Sequence, residues 1–216
     1  MNNKAEIFWD KQAGRFDKSQ KQFDSASRDI ILRTKEFLNP DDKVLDFGCA
    51  TGTRTLKLAG GIKHIHGLDL SSEMISLAKK NLNTSNVRNA SFSSGTIFKD
   101  DLGNASFDTI IAYSIIHMLE DVEKVIQRIN ELLKPGGLFI SETACFKERM
   151  SPGTRLQFTS FRLLKHLGLF PLHLNMFTTD DVAQLIFSHD FCILKAEKLF
   201  LNGMTISFIV AKKAES

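Results

Sequence analysis

The chain has few of the residues that would assign it to several large protein classes. It has three cysteines in 216 residues, Cys49, Cys145 and Cys192. They are widely spaced and form no CxxC pair, so they encode neither a disulfide framework nor a thiolate metal site. One Tyr and one Trp stand against eighteen Phe, which leaves the aromatic residues mainly to packing. No apolar run approaches the ~18–20 residues needed to span a bilayer. The opening MNNKAEIFWDK has no apolar signal core, so a reducing cytoplasm is the expected location. Neither charge sign dominates: the net charge of +3 is not the footprint of a dedicated nucleic-acid binder. No internal repeat and no low-complexity linker divides the sequence. With 43% hydrophobic residues, the chain can fill the core of one ordinary α/β domain.

Apolar stretches alternate with helical stripes. The spacing predicts a helix over 26–38, a turn at 39–42, a short strand at 44–47 and a helix over 53–59 stopped by Gly60 and Gly61. A strand at 64–70 follows, then a helix over 71–82 with Ser71 or Ser72 as N-cap. Next come a weak strand at 89–95, a strong one within 107–116 and a helix marked by Val122, Val125, Ile126, Ile129, Leu132 and Leu133. A Pro-Gly-Gly turn at 135–137 leads into a strand at 138–143. Such alternation implies a parallel sheet covered on both faces. The end differs: 191–201 and 204–213 flank Asn202-Gly203, which reads as an antiparallel hairpin.

The segment VLDFGCATGTRTLKLAGG, residues 44–61, carries the chemistry. A loop of small residues follows the first core strand and opens a helix, where a parallel sheet binds its ligands. It is not a clean G-x-G-x-x-G, because Ala50 and Thr53 replace two of the glycines. A pyrophosphate demands close backbone approach at the second glycine and tight helix packing at the third. A phosphate-free nucleoside demands less. Asp46, inside the strand end, suits a ligand bearing an ammonium or sulfonium and sits badly beside a pyrophosphate. Asp69 ends the next strand, where a carboxylate can accept the hydroxyls of a ribose; NAD and nucleoside sites share this feature, so it does not choose between them.

At these residues the sequence resembles the class I S-adenosylmethionine (SAM)-dependent methyltransferases. VLDFGCATGTRTLKLA is similar to the first motif, with Asp46, Gly48, Ala50 and Gly52 in the D-x-G-x-[GA]-x-G places. IHGLDLSSEMISLAKKN resembles the second motif, FDTIIAYSIIHML the fourth-strand segment, and INELLKPGGLFISE the helix, turn and fifth strand. IFWDKQAGRFDK resembles the lead-in of small-molecule methyltransferases of the quinone-biosynthesis type. The resemblance implies a Rossmann-like three-layer α/β sandwich, with a mostly parallel seven-stranded sheet ending in an antiparallel hairpin. It also implies one methyltransferase domain over 1–216, with 1–25 covering the cofactor and 144–176 inserted as a cap.

The resemblance further implies roles. Asp46, Gly48, Cys49, Ala50 and Gly52 would surround the methionine end of SAM, with Cys49 a small filler. Asp69 would hold the ribose, and Leu70 and Met74 would flank the adenine. Gly95 and Thr96 fall where the family often has Gly-Asp, so Thr96 is a departure at the adenine contact. Ala112 and Tyr113 would face the methionine moiety, and Trp9, Arg15 and Phe16 would belong to the covering segment. His117, just past a strand end, reads as a general base, a substrate contact or a structural histidine. His64 and His66 read as structural, and Asp100 and Asp101 as a solvated loop. No carboxylate cluster suggests a metal.

The expected reaction moves a methyl group from SAM to a small acceptor, leaving S-adenosylhomocysteine, in a monomer or homodimer that needs no nucleic acid. Competing readings are a non-catalytic SAM-binding regulator, an NAD-type oxidoreductase and an RNA methyltransferase. The last lacks an N-P-P-Y-type motif, and no cysteine follows a proline, as pyrimidine C5 methylation would require. Between 146 and 176 the sequence holds Lys147, Arg149, Arg155, Arg162 and Lys165 against Glu148 alone. A helix over 154–167 would put Arg155, Thr159, Arg162 and His166 on one side and Leu156, Leu163, Leu164 and Leu167 on the other, with the leucines packing inward. That helix reads either as a packed element with a solvated basic face or as a cap over an apolar or anionic acceptor, since 166–177 is apolar enough to line a greasy pocket; a membrane-surface role is the weaker alternative, because the basic face is short.

Overall fold

A computed structural model describes residues 3–20, 24–99, 101–166 and 172–215. The chain begins with α1 (Asn3–Gln20) and α2 (Asp24–Lys35). The apolar stretch after the turn forms β1 (Lys43–Phe47), followed by α3 (Thr53–Leu58), β2 (His64–Asp69), α4 (Ser72–Asn83) and β3 (Ala90–Ser94). Then come β4 (Phe107–Tyr113), a 3-10 turn at Ile116–Met118, α5 (Val122–Leu132) and β5 (Leu133–Ala144). Helices α6 (Pro152–His166) and α7 (Thr179–Phe187) precede the hairpin of β6 (Phe191–Leu201) and β7 (Met204–Lys213).

The strands form one sheet in the order β3-β2-β1-β4-β5-β7-β6. β1 to β5 run parallel, and β7 pairs antiparallel with both β5 and β6. Alternation along the strands feeds two cores. Leu45, Phe47, Ile110, Ala112, Phe139 and Ile209 pack against Ile126 and Ile129 of α5 and Val182 and Ile186 of α7. Val44, Ile111, Ile140, Phe208 and Val210 share the other face with Ile30 and Ile31 of α2 and Leu58 of α3. Asn202 and Gly203 both adopt positive φ, 52° and 78°, so the hairpin turn has the mirror-image twist that its Asn-Gly pair predicts.

Two elements depart from expectation. α2 ends at Lys35, where the Phe37 N–H bonds back to the Thr34 carbonyl at 3.0 Å and tightens the last turn. β5 begins at Leu133 because Leu133 already pairs with Phe107. The register then jumps to Leu138 opposite Thr109, and the Pro-Gly-Gly turn is absorbed as an irregularity within the strand. All five parallel strands point the same way, so their carboxyl ends and the loops after them share one rim.

Candidate cofactor and acceptor site

The loop after β1 is shaped by three left-handed residues, Gly48, Ala50 and Gly52, with φ of 77°, 48° and 72°. The Gly48 and Cys49 N–H groups both donate to the Leu68 carbonyl of β2, at 2.8 and 3.1 Å. Gly48 and Gly52 are required twice over. A Cβ on Gly48 would lie 2.5 Å from Ile115, and one on Gly52 would lie 2.6 Å from the Phe92 ring. Cys49 is buried among Ile75, Ala78 and Phe92, and burial pushes its thiol pKa well up, so it fills space rather than acting as a nucleophile.

Two carboxylates flank this loop. Asp69 accepts the Ala50 N–H at one oxygen and the Ser71 N–H at the other, both at 2.9 Å, and so ties the loop to the start of α4. Burial raises its pKa against those two hydrogen bonds. Asp46 is 2% exposed and accepts the Thr55 hydroxyl at 2.5 Å. Burial pushes its pKa up to about 6, opposed by the Thr55 hydrogen bond and the Arg54 charge. Two carboxyl groups whose ionised forms are short of cationic partners make a site that favours a cation. Arg54, the nearest positive group, is drawn away: it pairs with Glu142 at 3.3 Å, donates to Ser27 at 3.0 Å and lies over the Tyr113 ring.

Helix α1 is clasped to this rim by two acids that the sequence reading missed. Asp10 accepts the Ser71 hydroxyl at 2.6 Å and the Glu73 N–H at 3.2 Å, and Asp17 accepts the Thr51 hydroxyl at 2.5 Å. Seven residues apart, they share one face of α1. That spacing was the available signal, but it also suits a solvated acidic face. Trp9 sits edge-on to Phe8 and Phe16 and braces the same helix, while Arg15 is exposed.

The remaining expected residues divide by position. Leu70 is half-buried beside Asp69, and Met74 is buried at 1% exposure in the first turn of α4, which Ser71 caps. Gly95 follows β3 with φ 148°, its N–H bonded to the Asp69 carbonyl at 2.8 Å, and Thr96 is partly exposed next to it. Ala112 is fully buried. Tyr113 shares the Ile111 face, and its hydroxyl is paired with Thr34 of α2, so its ring belongs to the core. The period of two in β4 already places Tyr113 there. Ser114 has φ 54° and donates to Glu142 at 2.7 Å. His64 and His66 bond to Ser91 and Ser93 across β2 and β3, as structural histidines do. Asp101 is exposed, whereas Asp100 lies outside the described residues.

His117 lies in the 3-10 turn after β4 and is 7% exposed. Its Nδ1 is buried with no hydrogen-bond partner, and burial pushes its pKa down to about 4. Its ring meets Phe146 edge-on at 5.3 Å, and Phe146 stacks on Phe158 of α6 at 4.5 Å. The Asn175 N–H donates to the His117 carbonyl at 2.7 Å, which links the turn to the segment before α7.

The basic face of α6 is exposed as expected, but Leu156 and Leu163 do not pack inward. Leu156 and Leu163 are 70% and 59% exposed, while Phe158 is the buried apolar residue among the described side chains of α6. Period alone places the leucines together but cannot say which face is inward, and the stack on Phe146 decides it. Leu167 and the stretch 167–171 of the expected apolar wall lie outside the described residues, as does the side chain of Leu164. A cleft of about 440 Å³ opens beside the start of α6, lined by Met150, Pro152, Arg155, Leu156 and Thr159, none of which belongs to the glycine loop. Among the described residues, no group of three or more His, Cys, Asp or Glu is placed to hold a metal ion.

Residues 38–167 match the family model described as a methyltransferase domain. The chain is 26% identical over 203 residues to an uncharacterized methyltransferase of Geobacillus sp., covering 91% of this chain and 87% of that protein. It is 33% identical over 110 residues to phosphoethanolamine N-methyltransferase 2 of Caenorhabditis elegans, covering 50% of this chain but 25% of the nematode protein's length. Among solved structures, a SAM-dependent methyltransferase from Methanosarcina mazei superposes with a TM-score of 0.65 at 20% identity, covering 84% of this chain and 96% of that one. The strand order, the loop after β1 and these matches agree: the chain belongs to the class I SAM-dependent methyltransferases.

Proposed function

We propose that this chain transfers the methyl group of SAM to a small, apolar or anionic acceptor. The observation that carries this reading is the pair of buried carboxyl groups, Asp46 and Asp69, whose pKa values burial raises, on either side of a left-handed glycine loop. The arrangement suits a cationic nucleoside that brings no phosphate. When bound, SAM supplies a methyl group on a sulfonium, open to in-line displacement.

The chain's own residues then hold and align. Asp69 accepts the ribose hydroxyls, Leu70 and Met74 flank the adenine, and Gly95 and Thr96 border it. The left-handed bends at Gly48, Ala50 and Gly52 turn the loop backbone toward the methionine end, and Asp46 meets its cationic part. Ala112 offers backbone at that end, and the Tyr113 ring supports it from the core. Trp9 and Phe16, on the clasped helix α1, cover the cofactor and exclude water. Such alignment is worth up to ~7–11 kcal/mol in well-oriented systems.

His117 is too weak a base, at a pKa of about 4, to draw a proton from an alcohol at neutral pH. It stays uncharged and orients the acceptor by accepting a hydrogen bond. Calorimetric titration tests the cofactor assignment. SAM and S-adenosylhomocysteine should bind at one site and Asp69→Ala should weaken both, whereas heat with NAD and none with either adenosyl compound would overturn it.

A further inference from the structure

We infer that α6 is a docking element for an anionic bilayer surface. At about 100° per residue, Leu156 and Leu163 stand within about 20° of each other on the helix, roughly opposite Phe158. Phe158 anchors α6 to Phe146, which leaves the leucine crest turned away from the sheet and largely exposed.

Charge identifies the occupant. From Arg149 to Thr179 the sequence contains no Asp or Glu, but it contains Arg149, Arg155, Arg162 and Lys165. Arg155 and Arg162 are exposed and lie together along one side of the crest, about a quarter-turn from it. Among the described residues, neither Arg155, Arg162 nor Lys165 has an acidic partner. Of the acids bordering the segment, Glu148 is engaged with Lys198 and Asp181 with Lys147, which leaves Asp180 against the three cations. An apolar crest edged on one side by the unpaired cations Arg155 and Arg162 matches the acyl–headgroup boundary of an anionic membrane. The cleft beside Arg155 and Leu156 opens at the same surface.

Docking here would also bring the strand-end rim beside lipid-dissolved acceptors. α6 lies on the carboxyl side of the sheet, because the Ser151 N–H donates to Gly203 in the β6–β7 turn at 2.7 Å, next to where β5 ends. That consequence rests on the methyl-transfer reading; the docking does not.

The test is co-sedimentation of the full chain with vesicles of phosphatidylcholine alone and of phosphatidylcholine mixed with phosphatidylglycerol. The expected result is binding to the anionic vesicles only, weakened by salt. Arg155→Gln and Arg162→Gln should each cost about fivefold, and Leu156→Ser with Leu163→Ser should abolish binding while S-adenosylhomocysteine titration stays unchanged. Three results would overturn the proposal: no binding to anionic vesicles, undiminished binding by the leucine variant, or a wild-type dimer in light scattering that this variant makes monomeric. Loss of adenosyl binding with vesicle binding intact would instead count against the methyl-transfer reading.

Discussion

The protonation of Asp46 gives the sharpest handle on the cofactor site. Its pKa in the folded chain is about 6, against an ordinary value of 3.8, and burial is the main cause. At 1.36 kcal/mol per tenfold change in proton affinity, holding this carboxylate ionised costs about 3 kcal/mol at neutral pH. A cation bound beside it removes that cost, so the ligand and the proton compete. At pH 7.5 the carboxyl group is already ionised and the ligand displaces nothing. At pH 5 binding must expel a proton, which weakens the apparent affinity about tenfold. Asp69, also raised by burial, acts in the same direction. Calorimetry with S-adenosylhomocysteine from pH 7.5 to 5, in two buffers of different ionisation enthalpy, would record both the loss and the protons released. Asp46→Asn should flatten most of the slope while Asp69 leaves a remainder. An affinity constant across this range in the wild-type protein would refute the reasoning.

Asp69→Ala should weaken adenosyl binding by about 2 kcal/mol, since it removes a charged acceptor and leaves the Ala50 and Ser71 N–H groups unpaired. Without ligand, Asp46 and His117 oppose each other in stability. The raised Asp46 pKa lowers stability as pH rises from about 4 to 6, whereas the depressed His117 pKa adds up to about 3 kcal/mol as pH rises from about 4 to 6.5. Urea titrations should therefore show Asp46→Asn gaining stability across that window and His117→Gln losing it; parallel curves would contradict both assignments. Asp10→Ala with Asp17→Ala should free α1, seen as faster proteolysis within residues 3–20 and faster cofactor dissociation; unchanged rates would show the clasp to be idle. Gly52→Ala should destabilise the chain by about 1–3 kcal/mol, because its Cβ meets the Phe92 ring in a left-handed conformation.

What could be read from the sequence divides along physical lines. The sheet was legible because its strands are short apolar stretches alternating with helical stripes and its hairpin turns on Asn202-Gly203, both local signals. The loop was legible for the same reason: Gly48 and Gly52 are fixed by backbone conformation, and Asp46 and Asp69 end adjacent strands. The orientation of α6 was not, because a helical stripe fixes which residues share a face but not which face finds a partner. Phe158 found Phe146, and Leu156 and Leu163 stayed largely exposed. The α1 clasp was hidden because Asp10 and Asp17 meet Ser71 and Thr51, partners 61 and 34 residues away. The lowered pKa and unpartnered Nδ1 of His117 depend on long-range burial, which no local pattern records.

A crystal structure grown with S-adenosylhomocysteine tests the central claim most directly. It should show the ribose hydroxyls within ~3 Å of the Asp69 carboxylate, the amino-acid end beside Asp46 and the loop at 48–52, and α1 closed over both. Ligand bound away from β1 and β2, or an empty rim at saturating ligand, would contradict it.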